Sequence, residues 1–365
     1  MKKHRVGVIG FFHSVASARS FIPPTCELTA LCDLKADLMA RCRAEDPSLF
    51  CTTDYRELAR RDDVDSVVTY TPNETHRDIA VAMLAGGKNV FIEKPMGITL
   101  QQGRDILAAE KASGKHVAVD LEMHVIGIGP TVKAILDSGE IGKVVHIEFD
   151  HHRGNWVHSN PSGVYRTRKR TGGLMRMEGV HQMDLFRFWA GEITAVQSFC
   201  APNALPHYEI PDNITVICWF ENGALGRYTS SHTRSAWFDN PYDPRSPEYG
   251  HSLRWRITGT RGALYIDGWR TYIDVFHFQP MPAGTDSVTP CFVRRIDFRG
   301  LSDPLHWFYH DMAGCRRLFL ERMAAGLPPL QSAADAFRAE QIAWAAEKSS
   351  FEQGQRIAVP PDWEG

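Results

Sequence analysis

The tripeptide Glu93-Lys94-Pro95 follows the apolar run Asn89-Val90-Phe91-Ile92, which puts a lysine at the carboxyl end of a predicted sheet strand. Open α/β sheets bind their ligands at that end of their strands. A second set of chemically capable side chains comes from three other segments, Glu122-x-His124, Asp150-His151-His152 and Glu178-x-x-His181. Glutamate and histidine three residues apart on a helix share a face and can bind one metal ion. Glu122, His124, Glu178 and His181 therefore form a metal-assisted alternative, although such clusters also line polar clefts that hold no metal. The stretch Tyr165-Arg166-Thr167-Arg168-Lys169-Arg170 concentrates positive charge, and arginine forks pair bidentately with carboxylate, sulfonate or phosphate. It suggests an acidic substrate; a solvated loop or an oligomer contact is the competing reading. Trp156, Trp237 and Tyr242 could stack on a sugar ring, while aromatics of this kind more often finish a core or an interface.

The first strand and turn read Val6-Gly7-Val8-Ile9-Gly10-Phe11-Phe12-His13-Ser14-Val15-Ala16. A dinucleotide loop uses its first glycine for the tight turn, its second for backbone approach to the pyrophosphate and its third for helix packing. Gly10 supplies the first. Phe12 stands at the second position, where a side chain occupies phosphate space, and Val15 or Ala16 at the third. In favour of a dinucleotide stand Asp33, spaced to hold a ribose diol, and the helix start near His13-Ser14, where backbone amides attract anions. A carboxylate at position 33 repels a 2′-phosphate and favours NAD over NADP, with Lys35 nearby acting against that preference. Its competing role is to cap a helix starting at Leu34. The expected cofactor is NAD, with NADP as the alternative.

The elements that must position these residues follow from the apolar pattern. Arg5 to Ile9, Cys26 to Cys32, Ser66 to Tyr70, Asn89 to Ile92 and His116 to Leu121 are short apolar or β-branched runs, with helical spacing at Thr75 to Ala85 and Leu100 to Ala112. Alternating strands and helices predict a doubly wound, parallel α/β domain over residues 1–122. Residues 123–365 form the second expected domain, α+β with a large, mostly antiparallel open sheet. Its candidate strands are Lys143 to His151, Ile193 to Ala201, Ile214 to Phe220, Gly226 to His232, Leu253 to Gly259 and Ala263 to Asp267, after a helix around Pro130 to Ser138. The tail is again helical from Asp311 to Ala324 and from Ala333 to Gln353.

Composition bounds the function classes. At 365 residues the chain suits two domains. Lys+Arg 41 against Asp+Glu 43 leaves a net charge of -2, which argues against broad non-specific nucleic-acid binding. The eight cysteines show no C-x-x-C spacing and no secreted disulfide framework, so a reducing cytoplasm is the expected location. The amino terminus reads as a first strand and not a signal peptide, and no stretch approaches the length of a membrane span.

The chain resembles the glucose-fructose oxidoreductase and inositol dehydrogenase (Gfo/Idh/MocA) family over nearly its whole length. The residues that carry this are Asp54-Tyr55-Arg56-Glu57-Leu58, Val64-Asp65-Ser66-Val67-Val68, Thr71-Pro72-Asn73-Glu74-Thr75-His76, Gly87-Lys88-Asn89 through Pro95, Asp137 to Gly142, Gly172-Gly173, Gly179-Val180-His181-Gln182-Met183-Asp184 and Phe220 to Gly226. The resemblance implies an amino-terminal Rossmann domain and a carboxy-terminal α/β domain whose open sheet forms a homo-oligomer, dimer or tetramer. It also implies NAD(P)-linked hydride transfer at a secondary alcohol or ketone of a sugar, cyclitol or related polyhydroxylated substrate, an acidic one included. Through it Lys94 corresponds to the active-site lysine, which would stabilise a developing alkoxide. His181 corresponds to the general acid/base, and Asp184, one helical turn on, would orient substrate or histidine, or pair with Arg187 or Lys94. Gly10, Phe12, His13, Ser14, Asp33, Thr71, Asn73, His76, Glu93 and Lys94 correspond to cofactor-side positions. Glu122, His124, Trp156, Tyr165, Arg166, Arg168 and Glu178 are the substrate-side candidates. The Lys94–Pro95 bond is expected to be cis.

Two departures stand out. Relatives often carry aspartate four residues before the histidine, where this chain has Met177 beside Glu178, and the end of the His116 to Leu121 strand continues as Glu122-Met123-His124. Two other function classes stay open beside hydride transfer. One is a metal-assisted or cofactor-independent lyase, hydrolase or epimerase; the other is an NAD-using glycoside-cleaving enzyme or a non-catalytic binding protein.

Overall fold

The structure, a computed structural model, describes residues 3–10, 12–20, 22–152, 173–233, 252–280, 288–302 and 304–365. Trp156, Tyr165, Arg166, Arg168, Trp237 and Tyr242 lie outside the described residues. The chain divides into two compact units, Met1–Val125 with Met312–Phe337, and Ile126–Asp311 with Arg338–Gly365. The carboxy-terminal helical stretch is thus shared between the units.

The first unit is built on six parallel strands, β1 (His4–Ile9), β2 (Cys26–Cys32), β3 (Phe50–Thr52), β4 (Ser66–Thr69), β5 (Asn89–Ile92) and β6 (Val117–Val119), in the order β3-β2-β1-β4-β5-β6. The central strands are apolar because both faces are covered: Val6, Val8, Val67, Val68, Val90, Phe91 and Ile92 are fully buried. Helices α1 (Val15–Arg19), α2 (Ala36–Glu45), α3 (Tyr55–Ala59), α4 (His76–Ala85), α5 (Leu100–Ser113) and α6 (Glu122–Val125) fill the connections. Local chemistry sets their ends. Thr99 caps α5 by accepting from the amide of Gln102, and Gly114 closes it in the left-handed region at φ 63°. The three-residue β3 escapes a pattern reading because it is too short to show a period. β6 is shorter than the apolar run that predicts it, so Asp120 and Leu121 fall beyond the strand end.

In the second unit α7 (Ile128–Asp137) precedes a nine-stranded sheet. Its strands are β7 (Val144–His152), β8 (Ile193–Cys200), β9 (Asn213–Phe220), β10 (Leu225–Ser231), β11 (Ser252–Gly259), β12 (Gly262–Asp267), β13 (Tyr272–Pro280), β14 (Val288–Asp297) and β15 (Ile357–Ala358). They run in the order β14-β13-β12-β11-β7-β10-β9-β8-β15, and every described neighbour pair is antiparallel except β7 with β10. Sequence pattern alone does not find β13 or β14. β14 is an edge strand, largely exposed and carrying Pro290, so it lacks the apolar alternation of a half-buried strand. One face of the sheet packs on α8 (Val180–Ala190): Trp255 donates from its indole to Gln182 Oε1 at 2.8 Å, and Phe149, Tyr228 and Trp255 are buried there together. A single turn of π-helix, Met175–Gly179, leads into α8.

Candidate active site

The carboxyl ends of β1, β4, β5 and β6 gather candidate residues of the first unit. β1 pairs with β2 on one side and β4 on the other, so the strand order reverses at β1, the place where such sheets bind ligands. Gly10 follows β1 at φ 76°, and a Cβ there would run into the carbonyl oxygen of Tyr70 and meet Thr71 Cγ2 at 3.1 Å. Only glycine lets the loop lie this close to the end of β4.

Phe12 does not stand where phosphate would sit. Its side chain is buried with Val8, Val15, Ala18, Leu31, Leu38 and Met39 in the core beneath the loop. The large residue at the second-glycine position is therefore a packing residue. Ser14 caps α1 by accepting from the amide of Ser17, while His13 is exposed with Nδ1 3.5 Å from Ser17 Oγ. Asp33 follows β2, and its Oδ1 accepts from the amide of Lys35 at 3.0 Å. That bond does not cap α2, whose N-cap position is Lys35. These residues fit a dinucleotide.

The loops after β4 and β5 are tied together by His76. Its Nδ1 lies 2.6 Å from the carbonyl oxygen of Pro95 and its Nε2 lies 2.9 Å from that of Thr71, with the ring fully buried. His76 is thus a clamp between the two loops. Thr75 Oγ1 donates to Thr71 Oγ1 at 2.8 Å, and Asn73 is buried in the short 3₁₀ turn that follows. The Lys94–Pro95 bond is cis, as expected. Glu93 and Lys94, both half-buried, stand directly after β5.

A buried polar group beside them was not singled out from the sequence. Asp120, 1 % exposed, follows β6 and is surrounded by Glu93, Glu122, Tyr70, Cys315 and Arg316. Burial first, then the charges of Glu93 and Glu122, hold its carboxyl well above the usual range, against Arg316 and the Cys315 thiol. Arg316 donates from Nη1 to the Tyr70 hydroxyl at 2.5 Å. The only sequence signal was a carboxylate inside a run read as strand. Glu122, also buried, opens α6, and His124 Nδ1 lies 3.2 Å from Gln331 Nε2.

In the second unit His181 and Asp184 sit on the first turns of α8, 8 % and 1 % exposed. Arg187 pairs with Glu192 at 3.0 Å. The π turn places Glu178 over the parallel pair β7/β10. Its Oε2 is 3.1 Å from His232 Nε2 and 3.4 Å from His151 Nδ1, and the Tyr208 hydroxyl is 3.0 Å from His232 Nδ1. His232 and Tyr208 were not legible as site residues, since they come from a strand end and a loop far apart in sequence.

The triplet Asp150-His151-His152 is split by the strand's period of two. His151 faces the helix side, whereas Asp150 faces the other way and pairs with Arg227 at 2.7 Å and Arg256 at 2.9 Å. Burial raises the Asp150 carboxyl, but the two arginines outweigh it and hold the group below its ordinary value. Among the described residues no group of three or more His, Cys, Asp or Glu side chains is arranged to hold a metal ion. Of the residues named for the metal-assisted alternative, Glu122 and His124 belong to the first unit and Glu178 and His181 to the second. No helix of the described residues is long and apolar enough to cross a membrane.

Comparison with known proteins agrees with this geometry. Residues 4–121 match the family profile described as "Oxidoreductase family, NAD-binding Rossmann fold", and residues 130–265 match the "GFO/IDH/MocA C-terminal domain". The chain is 27% identical over 208 residues to scyllo-inositol 2-dehydrogenase (NAD(+)) of Bacillus subtilis, covering 56% of this chain and 55% of that one. It is 31% identical over 169 residues to inositol 2-dehydrogenase of Salmonella typhimurium, covering 44% and 49%. The chain therefore spans about half the length of these curated relatives. Among solved structures, levoglucosan dehydrogenase in complex with NADH and L-sorbose superposes with a TM-score of 0.76 at 20% identity, over 99% of this chain and 100% of that one. An oxidoreductase domain protein from Kribbella flavida gives 0.77 at 23% identity, over 99% and 100%. At those identities the superpositions establish the fold alone. With both profiles matched in order and the six-stranded sheet shaped for a dinucleotide, the chain belongs to the Gfo/Idh/MocA family of NAD-binding oxidoreductases.

Proposed function

We propose that this protein transfers a hydride between NAD and a secondary alcohol or ketone of a polyhydroxylated small molecule, a cyclitol or sugar. The observation that carries the reading is the first unit itself: a dinucleotide-type sheet whose glycine turn is open, with Phe12 withdrawn into the core and Lys94 at the carboxyl end of β5. When bound, NAD supplies the acceptor for the hydride that leaves the alcohol carbon. Lys94 holds a positive charge toward the reacting oxygen and favours its alkoxide character. His181 takes the hydroxyl proton in the oxidative direction and returns it in the reverse one, and Asp184, three residues on, orients the imidazole or the substrate.

The named relatives act, by their names, on inositols and on levoglucosan, which supports a ring-shaped polyol as substrate. Arg166 and Arg168 extend the proposal to an acidic polyol, and Glu122, His124 and Glu178 to contacts with its hydroxyls. The protein is further proposed to assemble as a dimer or tetramer through the nine-stranded sheet and to work in the cytoplasm.

The test is a titration of nucleotide-stripped protein with NAD⁺, NADH, NADP⁺ and NADPH, followed by a screen of inositols and aldoses for nicotinamide absorbance change. Tight binding of the NAD pair with turnover of at least one polyol is expected. No binding of any of the four nucleotides would sink the proposal.

A further inference from the structure

Glu178 lies inside the π turn and is 13 % exposed, wedged between two imidazoles on the strands beneath. A π turn carries an extra residue per turn and advances the following side chains around the helix. Here Met177 is buried as an apolar residue, and the carboxylate at 178 reaches the ends of β7 and β10. Those two strands run parallel with Ser230 opposite His151 and Ser231 opposite His152, so His151 and His232 emerge side by side, with ring centroids 6.3 Å apart. The turn is anchored on its other flank as well. Arg176 forms a buried ion pair with Glu347 at 2.6 Å and stacks 3.8 Å over the ring of Trp344.

The hydrogen-bond roles in this cluster are determined by chemistry. An ionised carboxylate only accepts, so each imidazole nitrogen turned toward Glu178 must carry a hydrogen. His232 then donates from Nε2, and its Nδ1 accepts from the Tyr208 hydroxyl 3.0 Å away. His151 Nδ1 stands 3.4 Å from the same carboxylate oxygen, so a hydrogen on that nitrogen faces Glu178. A carboxylate that orients an imidazole and selects its tautomer is the arrangement by which histidine acid/base groups are prepared for proton transfer. Glu178 also precedes His181 by three residues across the junction of the π turn and α8.

We propose that Glu178 is a positioning residue of this enzyme: presented by the π turn, it sets His151 as the Nδ1–H tautomer and His232 as the Nε2–H tautomer, one turn before His181. The proposal rests on the hydride-transfer reading for its catalytic consequence, and on geometry alone for the tautomers. Tyr208, His232, Glu178 and His151 form one chain in which the carboxylate lies between the two rings.

The experiment uses the full chain labelled with ¹⁵N-histidine, as wild type, Glu178→Gln, Glu178→Asp and the double variant Met177→Glu/Glu178→Met, with His151→Asn and His232→Asn for assignment. The ring nitrogens of His232 and His151 should report the two stated tautomers in the wild type. They should change in Glu178→Gln, recover in part in Glu178→Asp, and fail to recover when the carboxylate is moved back to position 177. With myo-inositol and scyllo-inositol as probe substrates and NAD⁺, Glu178→Gln should lower kcat by roughly 100-fold, the lower end of what a prepared acid/base contributes. The affinity for NADH should stay within about twofold. Unchanged imidazole signals in Glu178→Gln, or changed signals with unaltered kcat, would overturn the proposal. A wild type that binds no NADH and turns over neither probe counts against the redox reading, and the tautomers then uphold or overturn the role of Glu178 by themselves.

Discussion

His76 Nδ1 lies 2.6 Å from the carbonyl oxygen of Pro95, and its Nε2 lies 2.9 Å from that of Thr71. One buried ring therefore joins the loop after β4 to the loop that carries Lys94. Both partners are carbonyl acceptors, so the ring donates to both only with a hydrogen on each nitrogen, and no aliphatic residue could supply either contact. His76→Leu should lower stability by about 1 to 3 kcal/mol, the cost of leaving buried acceptors unpaired. It should also weaken NADH binding several-fold by loosening the Thr71–Asn73 turn. Urea unfolding and calorimetric titration of the variant check both outcomes.

Restoring a glycine at position 12 should harm the protein. Because the Phe12 ring fills the core with Val8, Leu31 and Leu38, Phe12→Gly should cost about 3 to 5 kcal/mol, as large-to-small changes of buried aromatics do. No gain in NADH affinity is expected. A variant of intact stability that binds NADH more tightly would mean that the ring obstructs the pyrophosphate after all.

Lys94→Ala should reduce kcat by roughly 100- to 1000-fold, the loss seen when one group facing a developing oxyanion is removed. Affinity for NADH should change little. Steady-state kinetics on the substrate returned by the polyol screen, beside a nucleotide titration, would separate the two effects. Equal losses in binding and turnover would assign Lys94 to the cofactor instead.

Asp120 makes stability depend on pH with a defined sign. Its folded pKa is raised by burial and by Glu93 and Glu122, so the folded protein keeps a proton that the unfolded chain releases near pH ~3.9. Stability from this group is fully present below the unfolded value and is lost as pH rises toward the folded one. Asp120→Asn removes that loss. Melting temperatures of wild type and variant should coincide near pH 4 and diverge as pH rises to 8, with the variant higher. Parallel curves across the range would show that Asp120 is ionised in the folded state.

Arg166→Ala combined with Arg168→Ala tests the acidic-substrate proposal. A rise in KM for acidic polyols, with neutral polyols unaffected, is the expected result. Loss of neither binding nor turnover would leave the arginine-rich stretch as a solvated or oligomer-contact segment.

The alternation of apolar runs and helical spacing over residues 1–122 and the longer alternating runs after Lys143 carried the fold class, because burial on two faces or on one face leaves a direct mark on residue order. The placement of Gly10, Asp33 and Lys94 was legible for a similar reason: they stand just past strand ends, and strand ends can be read from where an apolar run stops. Other features depend on residues that meet only in three dimensions. Whether Phe12 fills the phosphate space or the core depends on which way a side chain turns, and the packing around Val8 and Leu31 decides it. The separation of Asp150 from His151 needs the strand's exact register, and the meeting of Glu178 with His151, His232 and Tyr208 needs both the π turn and the parallel pairing of β7 with β10. Asp120, the edge strand β14 and the sharing of the helical tail between two units were likewise settled by tertiary structure, since burial of a polar group and pairing at a sheet edge leave no periodic trace in the sequence.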